Sequence, residues 1–193
     1  MTNEELDVYI QEQGLRILCR NAFLYFLNHL KDYPGNYLEI GVFEGYSLKE
    51  LAKAYPNKMI YGVDPFIEDG HTTGHNGVPK GEPTVAQREA TYRNIKELEN
   101  VRFFEEKSSV WGDITNSPKA VNFMNISAVL VDGDHSYEEC ANDLRIALRC
   151  LDKGGVMWVD DQGLPSVAQA VGEFVSEFGD RIERRTDDLI FIK

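Results

Sequence analysis

The sequence has little cysteine and no long apolar run, and both absences limit what the protein can be. Its 193 residues include only three cysteines, Cys19, Cys140 and Cys150, with no CxxC spacing. This odd, scattered set predicts reduced thiols rather than a disulfide framework. No apolar stretch reaches the ~18 residues of a membrane-spanning helix, and the acidic start of the chain does not resemble a signal peptide. We therefore expect a cytoplasmic protein without a membrane partner.

Positive charge is also scarce. The chain has 20 Lys and Arg residues against 32 Asp and Glu residues, which gives a formal net charge of −12 at pH 7. Nucleic acids and anionic membranes are bound by basic surfaces, so this balance argues against both partners. Hydrophobic residues make up 42% of the chain, which suffices for the core of one globular domain. We expect a single domain over residues 1–193, with a helical extension over residues 1–33.

The dinucleotide-binding fingerprint GxGxxG is absent as well. Its nearest match, LEIGVFEGYS at residues 38–47, has Phe43 at the second glycine position, where a bulky side chain would crowd a pyrophosphate. Gly41 and Gly45 still permit a tight turn, and Ser47 stands where a helix should begin. Asp64 follows roughly 20 residues after Gly41, a separation that suits the hydroxyls of a ribose. The alternative interpretation is a plain strand–turn–helix junction.

What the sequence does have is an alternation of short apolar runs and helical periodicity. Strands are predicted at residues 37–40, 59–63, 101–104, 127–131 and 156–159, and helices at residues 46–54, 84–98, 137–151 and 165–178. Two further strands should flank residues 186–188, and Gly14 should divide the N-terminal helical region. This order predicts an α/β fold with a doubly wound, seven-stranded, mostly parallel sheet ending in an antiparallel hairpin. Residues 65–83, rich in Gly and Pro, are predicted to form a mobile loop.

Two acidic clusters follow the fourth and fifth predicted strands. Asp132 and His135 come after the run AVLV, and Asp160 and Asp161 come after VMWV. The carboxyl ends of parallel strands meet at the edge where ligands bind, so these side chains should lie together. Carboxylate oxygens favour a hard cation such as Mg²⁺ over zinc. The alternative interpretation is that they are strand-end residues or helix caps, and we expect Asp134 to cap the following helix.

Taken in order, LEIGVFEGYS, YGVDPF, VLVDGDH and WVDD resemble the motifs of class I S-adenosylmethionine-dependent methyltransferases, over about residues 36–193. Within that family they are similar to the metal-dependent O-methyltransferases of the catechol and macrocin types. The resemblance implies a Rossmann-like methyltransferase fold, S-adenosylmethionine as cofactor and a divalent cation, with Mg²⁺ as the first choice. It also implies a small-molecule acceptor that carries a hydroxyl, such as a sugar diol or a catechol.

The resemblance also assigns roles to individual residues. It places the methionine end of the cofactor at Glu39, Gly41, Phe43, Gly45 and Ser47, the ribose at Asp64, and the adenine at Ser108, with Ser109 as the weaker choice. It makes Asp132, Asp160 and Asp161 the metal ligands, with Asp132 also bordering the cofactor. His135 becomes the general base, a role that its pKa near neutrality suits. Asp161 departs from the catechol type, which usually has Asn there.

Several alternatives stay open from the sequence. A nicotinamide-dependent oxidoreductase is disfavoured by Phe43, and a non-catalytic cofactor-binding module is disfavoured by the carboxylate set. His71 and His75 are a weak zinc pair, because neighbouring glycines make a helix improbable there. Contacts to the acceptor must come from the N-terminal helices, the loop at residues 65–83 or a second subunit, and a homo-oligomer is left open.

Overall fold

Strands and helices alternate along the residues that the computed structural model describes, which are 1–66, 83–114 and 124–193. The strands are β1 (Asn36–Ile40), β2 (Ile60–Val63), β3 (Val101–Phe104), β4 (Ile126–Val131), β5 (Leu151–Val159), β6 (Ile182–Arg185) and β7 (Leu189–Ile192). The α-helices are α1 (Asn3–Gln13), α2 (Arg20–His29), α3 (Tyr46–Ala54), α4 (Pro83–Ile95), α5 (Ser108–Ile114), α6 (Tyr137–Cys150) and α7 (Pro165–Phe178).

The strands form one seven-stranded sheet in the order β3-β2-β1-β4-β5-β7-β6. Neighbouring strands from β3 to β5 are parallel, and β7 is antiparallel to both β5 and β6. Ile40 pairs with Val63 on one side and Val131 on the other, and Val131 pairs with Val159. The carboxyl ends of β1, β2, β4 and β5 are therefore level. The predicted fold class is confirmed, including the C-terminal hairpin.

Side-chain alternation along the strands divides the core into two layers. Leu38 of β1 and Val129 of β4 face one layer, built mainly with helices α5, α6 and α7. Tyr37 and Leu130 face the other layer, built mainly with helices α1, α2 and α3. Helices thus cover both faces, as a buried parallel sheet requires. By the same period of two, Asp132, which follows β4, lies on the side of α1, α2 and α3.

Some elements differ from the sequence prediction. Helix α5 was not foreseen, and β5 starts at Leu151, five residues before the apolar run that marks it. Gly14 does end α1, in the left-handed conformation with φ 60°. The predicted loop at residues 65–83 falls mostly outside the described residues, as do His71 and His75. Among the described helices, none combines the length and the apolar character needed to cross a membrane.

Candidate active site at the carboxyl edge of the sheet

The turn between β1 and α3 follows a path that depends on glycine. Gly41 has φ 88°, and a Cβ atom built on it would lie 1.9 Å from the carbonyl oxygen of Asp132. Gly45 has φ 72°, and between them Phe43 adopts φ 55°, a conformation that bulky residues rarely accept. Strain of this kind persists where the surrounding structure enforces it, often at functional sites. The turn therefore brings the chain directly against the end of β4.

Asp64, the predicted ribose ligand, fixes this turn. Its Oδ2 accepts hydrogen bonds from the backbone N–H groups of Val42, at 2.8 Å, and Phe43, at 3.2 Å. Its Oδ1 accepts from the N–H of Phe66 at 2.9 Å. Burial raises the pKa of the Asp64 carboxyl, although these three bonds oppose the shift. A carboxylate has about four lone-pair sites, so Asp64 keeps capacity for a further donor.

Glu39 is a buried acid on β1, with only 3% of its surface exposed. The hydroxyls of Ser47 and Tyr37 both donate hydrogen bonds to its carboxylate. Burial raises the pKa of Glu39 to about 8; the two hydrogen bonds oppose this shift, and the charges of Asp132 and Asp64 add to it. In this structure the Ser47 hydroxyl is therefore occupied by its hydrogen bond to Glu39. At neutral pH the buried carboxyl is largely protonated, and a nearby positive charge would ionise it.

Helix α4 supports the same turn from behind. The hydroxyl of Thr91 donates a hydrogen bond to the carbonyl oxygen of Phe43 at 2.8 Å. The side-chain amide of Asn94 donates to the carbonyl oxygen of Glu44 at 2.9 Å. Neither residue was recognised from the sequence, because both lie inside a helix far from the turn along the chain. The turn between β1 and α3 is therefore held by Asp64 on one side and by helix α4 on the other.

The two acidic clusters meet as predicted. The backbone N–H of Asp160 donates to the carbonyl oxygen of Val131, so the chain after β5 runs beside the chain after β4. One carboxylate oxygen each from Asp132 and Asp160 and the Sγ of Cys19 lie within 4.8 Å of one another, and so do ligand atoms of Asp132, His135 and Asp161. In the described part of the chain, no Lys or Arg forms an ion pair with these aspartates. Asp132 belongs to both groups and joins them.

His135 lies between two of these carboxylates. Its Nε2 is 3.6 Å from Oδ1 of Asp132 and 3.2 Å from Oδ2 of Asp161. The same nitrogen is buried and makes no aligned hydrogen bond within the described residues. Interaction with Asp132 raises the pKa of His135, burial opposes this, and Asp161 and Asp134 add to it. Burial also raises the pKa of Asp132, while His135 and Cys19 lower it. A proton acceptor therefore stands inside the acidic cluster.

Cys19 is a further site residue that the sequence did not reveal. Residues 15–19, which we call the strap, connect α1 to α2 and cross the carboxyl edge of the sheet. The thiol of Cys19 donates a hydrogen bond to Oδ2 of Asp132. Burial and the negative charges of Asp132 and Asp160 raise the pKa of the thiol far above its usual value. The strap and the glycine turn together line a cleft that includes Glu39 and Asp132.

Ser108, the predicted adenine neighbour, begins α5 beside a buried acid on α6. Its hydroxyl hydrogen-bonds to the Asp143 carboxylate, whose exposure is 2%. Gly133, after β4, passes so close that a Cβ there would lie 2.7 Å from Oδ2 of Asp143. Burial raises the pKa of Asp143 to about 7. Asp143 thus packs between the segments that follow β3 and β4.

The prediction that Asp134 caps α6 is wrong. The N-cap is Ser136, whose hydroxyl accepts a hydrogen bond from the N–H of Glu139. Asp134 lies two residues earlier, where its Oδ1 accepts from the N–H of Ser136 at 2.7 Å. The physical reason is that the helix begins at Tyr137, so Ser136 is the residue placed to reach an amide of the first turn, whereas Asp134 binds the amide of Ser136 itself. Asp134 is not in either group of potential ligands.

Comparison with known proteins agrees with this architecture. Residues 38–162, more than half of the chain, match the family model described as a methyltransferase domain. A protein of Acanthamoeba polyphaga mimivirus is 24% identical over 147 residues, which is 73% of this chain and 59% of the length of that relative.

Solved structures show the same fold. The O-methyltransferase NovP superposes with a TM-score of 0.61 at 21% identity, covering 90% of this chain and 77% of NovP. CalS11, a TDP-rhamnose 3′-O-methyltransferase of calicheamicin biosynthesis, gives 0.61 at 20% identity, covering 100% of this chain and 87% of CalS11. TomG from Streptomyces achromogenes, solved with S-adenosylmethionine, superposes with a TM-score of 0.61 at 17% identity. The match covers 95% of this chain and 86% of TomG. By its family match, the chain belongs to the methyltransferase-domain family, and it shares the fold of these O-methyltransferases.

Proposed function

We propose that the protein transfers a methyl group from S-adenosylmethionine to a hydroxyl of a small molecule, with the help of a divalent cation. The observation that carries this proposal is the position of Asp132. Its carbonyl oxygen packs against Gly41 in the glycine turn, and its carboxylate belongs to both groups of potential metal ligands. A cofactor held by the turn and a cation held by the carboxylates would therefore be neighbours.

The residues of the glycine turn suit S-adenosylmethionine. Glu39 is a buried acid that a positive charge would ionise, and it lines the cleft together with Gly41 and Ser47. Asp64 retains acceptor capacity for the ribose hydroxyls. When bound, this cofactor supplies a methyl group carried on a positively charged sulfur. The chain's own contribution is a cleft whose acids, Glu39 and Asp132, complement that charge.

The acidic cluster suits a divalent cation. Asp132, Asp160 and Asp161 offer oxygen atoms on two adjacent chain segments, and no Lys or Arg within the described residues neutralises them. Carboxylates brought this close repel one another unless a cation or a proton intervenes. Asp132 would hold the ion, with Asp160 from one donor group and Asp161 from the other. When bound, a divalent cation lowers the pKa of a hydroxyl that it contacts.

His135 would take the proton of the acceptor hydroxyl. Its Nε2 is buried, lacks an aligned hydrogen bond within the described residues, and lies close to Asp132 and Asp161. A neutral imidazole accepts a proton there, and the two carboxylates then stabilise the imidazolium. The oxygen left behind would be the nucleophile for the methyl group, whose bond to sulfur would break and leave S-adenosylhomocysteine. This route needs only one proton acceptor from the protein.

The acceptor class that we propose is a small molecule with adjacent hydroxyls, such as a sugar diol or a catechol. The identity of CalS11 as a sugar O-methyltransferase supports this class. The net charge of −12 supports it too, because it disfavours nucleic-acid acceptors. A cytoplasmic location and assembly into a homo-oligomer stay predictions. The nicotinamide-dependent alternative does not agree with the family match.

The test is methyl transfer measured by formation of S-adenosylhomocysteine, which does not require the acceptor to be known in advance. Catechols and nucleotide sugars with adjacent hydroxyls would be screened with Mg²⁺, with Mn²⁺ and with chelator. We expect product with at least one acceptor, and loss of product in chelator. The double variant Asp160→Asn with Asp161→Asn should lose cation-stimulated transfer but still bind the cofactor.

The matched control is Asp152→Asn with Asp180→Asn, which removes two exposed carboxylates and keeps the cluster intact. This control should retain the wild-type rate. Undiminished transfer in chelator would disprove the role of the cation while leaving the methyltransferase in place. Cofactor binding without turnover on any acceptor would instead favour a non-catalytic binding module.

A further inference from the structure

The strap brings a sulfur atom into the acidic cluster. Sγ of Cys19 lies within 4.8 Å of carboxylate oxygens from both Asp132 and Asp160, and its thiol is hydrogen-bonded to Asp132. The imidazole of His135, three residues further along the same segment, approaches the same Asp132. The Asp132 carboxylate therefore has a thiol sulfur, an imidazole nitrogen and a second carboxylate near it. A set of this composition differs from the oxygen-only set expected of a magnesium site.

The position of the thiol is built into the fold. Leu15 and Ile17 are buried, with 9% and 8% exposure, in the core layer on the side of α1, α2 and α3, whereas Arg16 is exposed. The guanidinium of Arg16 lies 5.2 Å from the centre of the Phe43 ring and pairs with the buried carboxylate of Glu44. These contacts attach the strap to the glycine turn on one side. Cys19, at the end of the strap, is thereby directed to the carboxylates.

We propose that Cys19 is a ligand of the cation site and makes it selective for a thiophilic divalent cation, of the Zn²⁺ or Co²⁺ type, over Mg²⁺. A thiolate ligand favours such ions, whereas Mg²⁺ prefers oxygen alone. Coordination replaces the S–H proton, which passes to solvent, and the new bond joins Sγ to the ion. The inference deepens the proposed function, because it concerns the ion that the same aspartates hold.

A cobalt titration of the full-length protein tests this directly. Co²⁺ bound to a thiolate gives a charge-transfer band in the near ultraviolet, which oxygen ligands do not give. We expect this band in the wild-type protein and its loss in Cys19→Ser. The control Cys150→Ala removes a buried thiol of α6 that is remote from the donor set, and it should keep the band. In competition, Cys19→Ser should lower the affinity for Zn²⁺ by about tenfold or more and leave the affinity for Mg²⁺ almost unchanged.

The outcomes separate this inference from the proposed function. If Co²⁺ binds to the wild-type protein without the charge-transfer band, Cys19 is not a ligand and the inference is wrong. Methyl transfer with Mg²⁺ would still stand in that case. If the band appears but the chelator has no effect on methyl transfer, Cys19 is a ligand and the catalytic role of the cation fails. If neither Co²⁺ nor Mg²⁺ binds, both claims about the cation fail.

Discussion

Nε2 of His135 lies 3.2 Å from Oδ2 of Asp161, across the gap between the segments that follow β4 and β5. Asp161 reaches this position with a backbone φ of 53°, in the left-handed region that aspartate tolerates better than most residues. The turn after β5 thereby directs a carboxylate to the imidazole. This contact couples the two acidic clusters that the sequence shows as separate motifs.

Replacing His135 tests its role as proton acceptor. His135→Gln should lower the rate of methyl transfer by about 10²–10⁴-fold and leave the affinity for S-adenosylmethionine near the wild-type value. The pKa of His135 is raised above 6.5, and only the neutral imidazole accepts a proton. The wild-type rate should therefore rise with pH as His135 loses its proton, and the variant should lack this rise.

The matched control is His29→Gln, because His29 is an exposed imidazole of α2 outside the candidate site. It should keep both the rate and the pH profile of the wild-type protein. An unchanged rate in His135→Gln would remove His135 from the mechanism.

Glu39 should release a proton when the cofactor binds. Its pKa is raised to about 8 by burial, so at pH 7 the carboxyl is mostly protonated. A positively charged ligand in the same cleft lowers that pKa and ionises the group. Calorimetric titration with S-adenosylmethionine in buffers of different ionisation enthalpy should show proton release. Glu39→Gln should bind without this release, and equal release in both proteins would show that another group is the source.

Gly41 should not tolerate a side chain. Gly41→Ala places a Cβ 1.9 Å from the carbonyl oxygen of Asp132, in a residue with φ 88°. Strain and overpacking together should lower the free energy of unfolding by about 2–5 kcal/mol and weaken cofactor binding. Gly172→Ala is the control, because this position in α7 has open space and should gain roughly 0.5–1 kcal/mol. Denaturant melts of both variants measure the contrast; equal stability would show that the turn relaxes.

Asp143 should make the protein less stable as the pH rises. Its folded pKa is raised from 3.8 to about 7, so between these values the folded state binds more protons than the unfolded state. The free energy of unfolding therefore falls as pH rises through this window, by as much as about 4 kcal/mol. Asp143→Asn, which can still accept from Ser108, should remove that loss and be more stable than wild type at pH 8. Urea melts from pH 4 to 8 measure it; parallel profiles for both proteins would contradict the assignment.

The sheet and its acidic edge could be predicted from the sequence for a clear physical reason. Buried parallel strands are short apolar runs, and their ends are marked where Asp64, Asp132 and Asp160 begin the polar segments. Because parallel strands place these ends at one edge, the neighbourhood of Asp132 and Asp160 follows from the order of the strands. The structure agrees with that neighbourhood.

The remaining parts of the site depend on contacts that no local pattern encodes. Cys19 meets Asp132 across 113 positions of sequence, and its own neighbours in the strap have no regular secondary structure. Asp143 lies in an amphipathic helix and would be expected to face solvent, yet it is buried against Gly133. Both placements are set by packing between segments distant in sequence. A period or motif in one segment does not contain that information.

The central claim is that a cofactor and a divalent cation occupy adjacent positions around Asp132. It is tested most directly by nuclear magnetic resonance of S-adenosylmethionine with a ¹³C-labelled methyl group, bound to the full-length protein and titrated with paramagnetic Mn²⁺. We predict strong broadening of the methyl signal in the wild-type protein and none in Asp160→Asn with Asp161→Asn, although both proteins bind the cofactor. A bound methyl signal that Mn²⁺ leaves unchanged in the wild-type protein would contradict the claim.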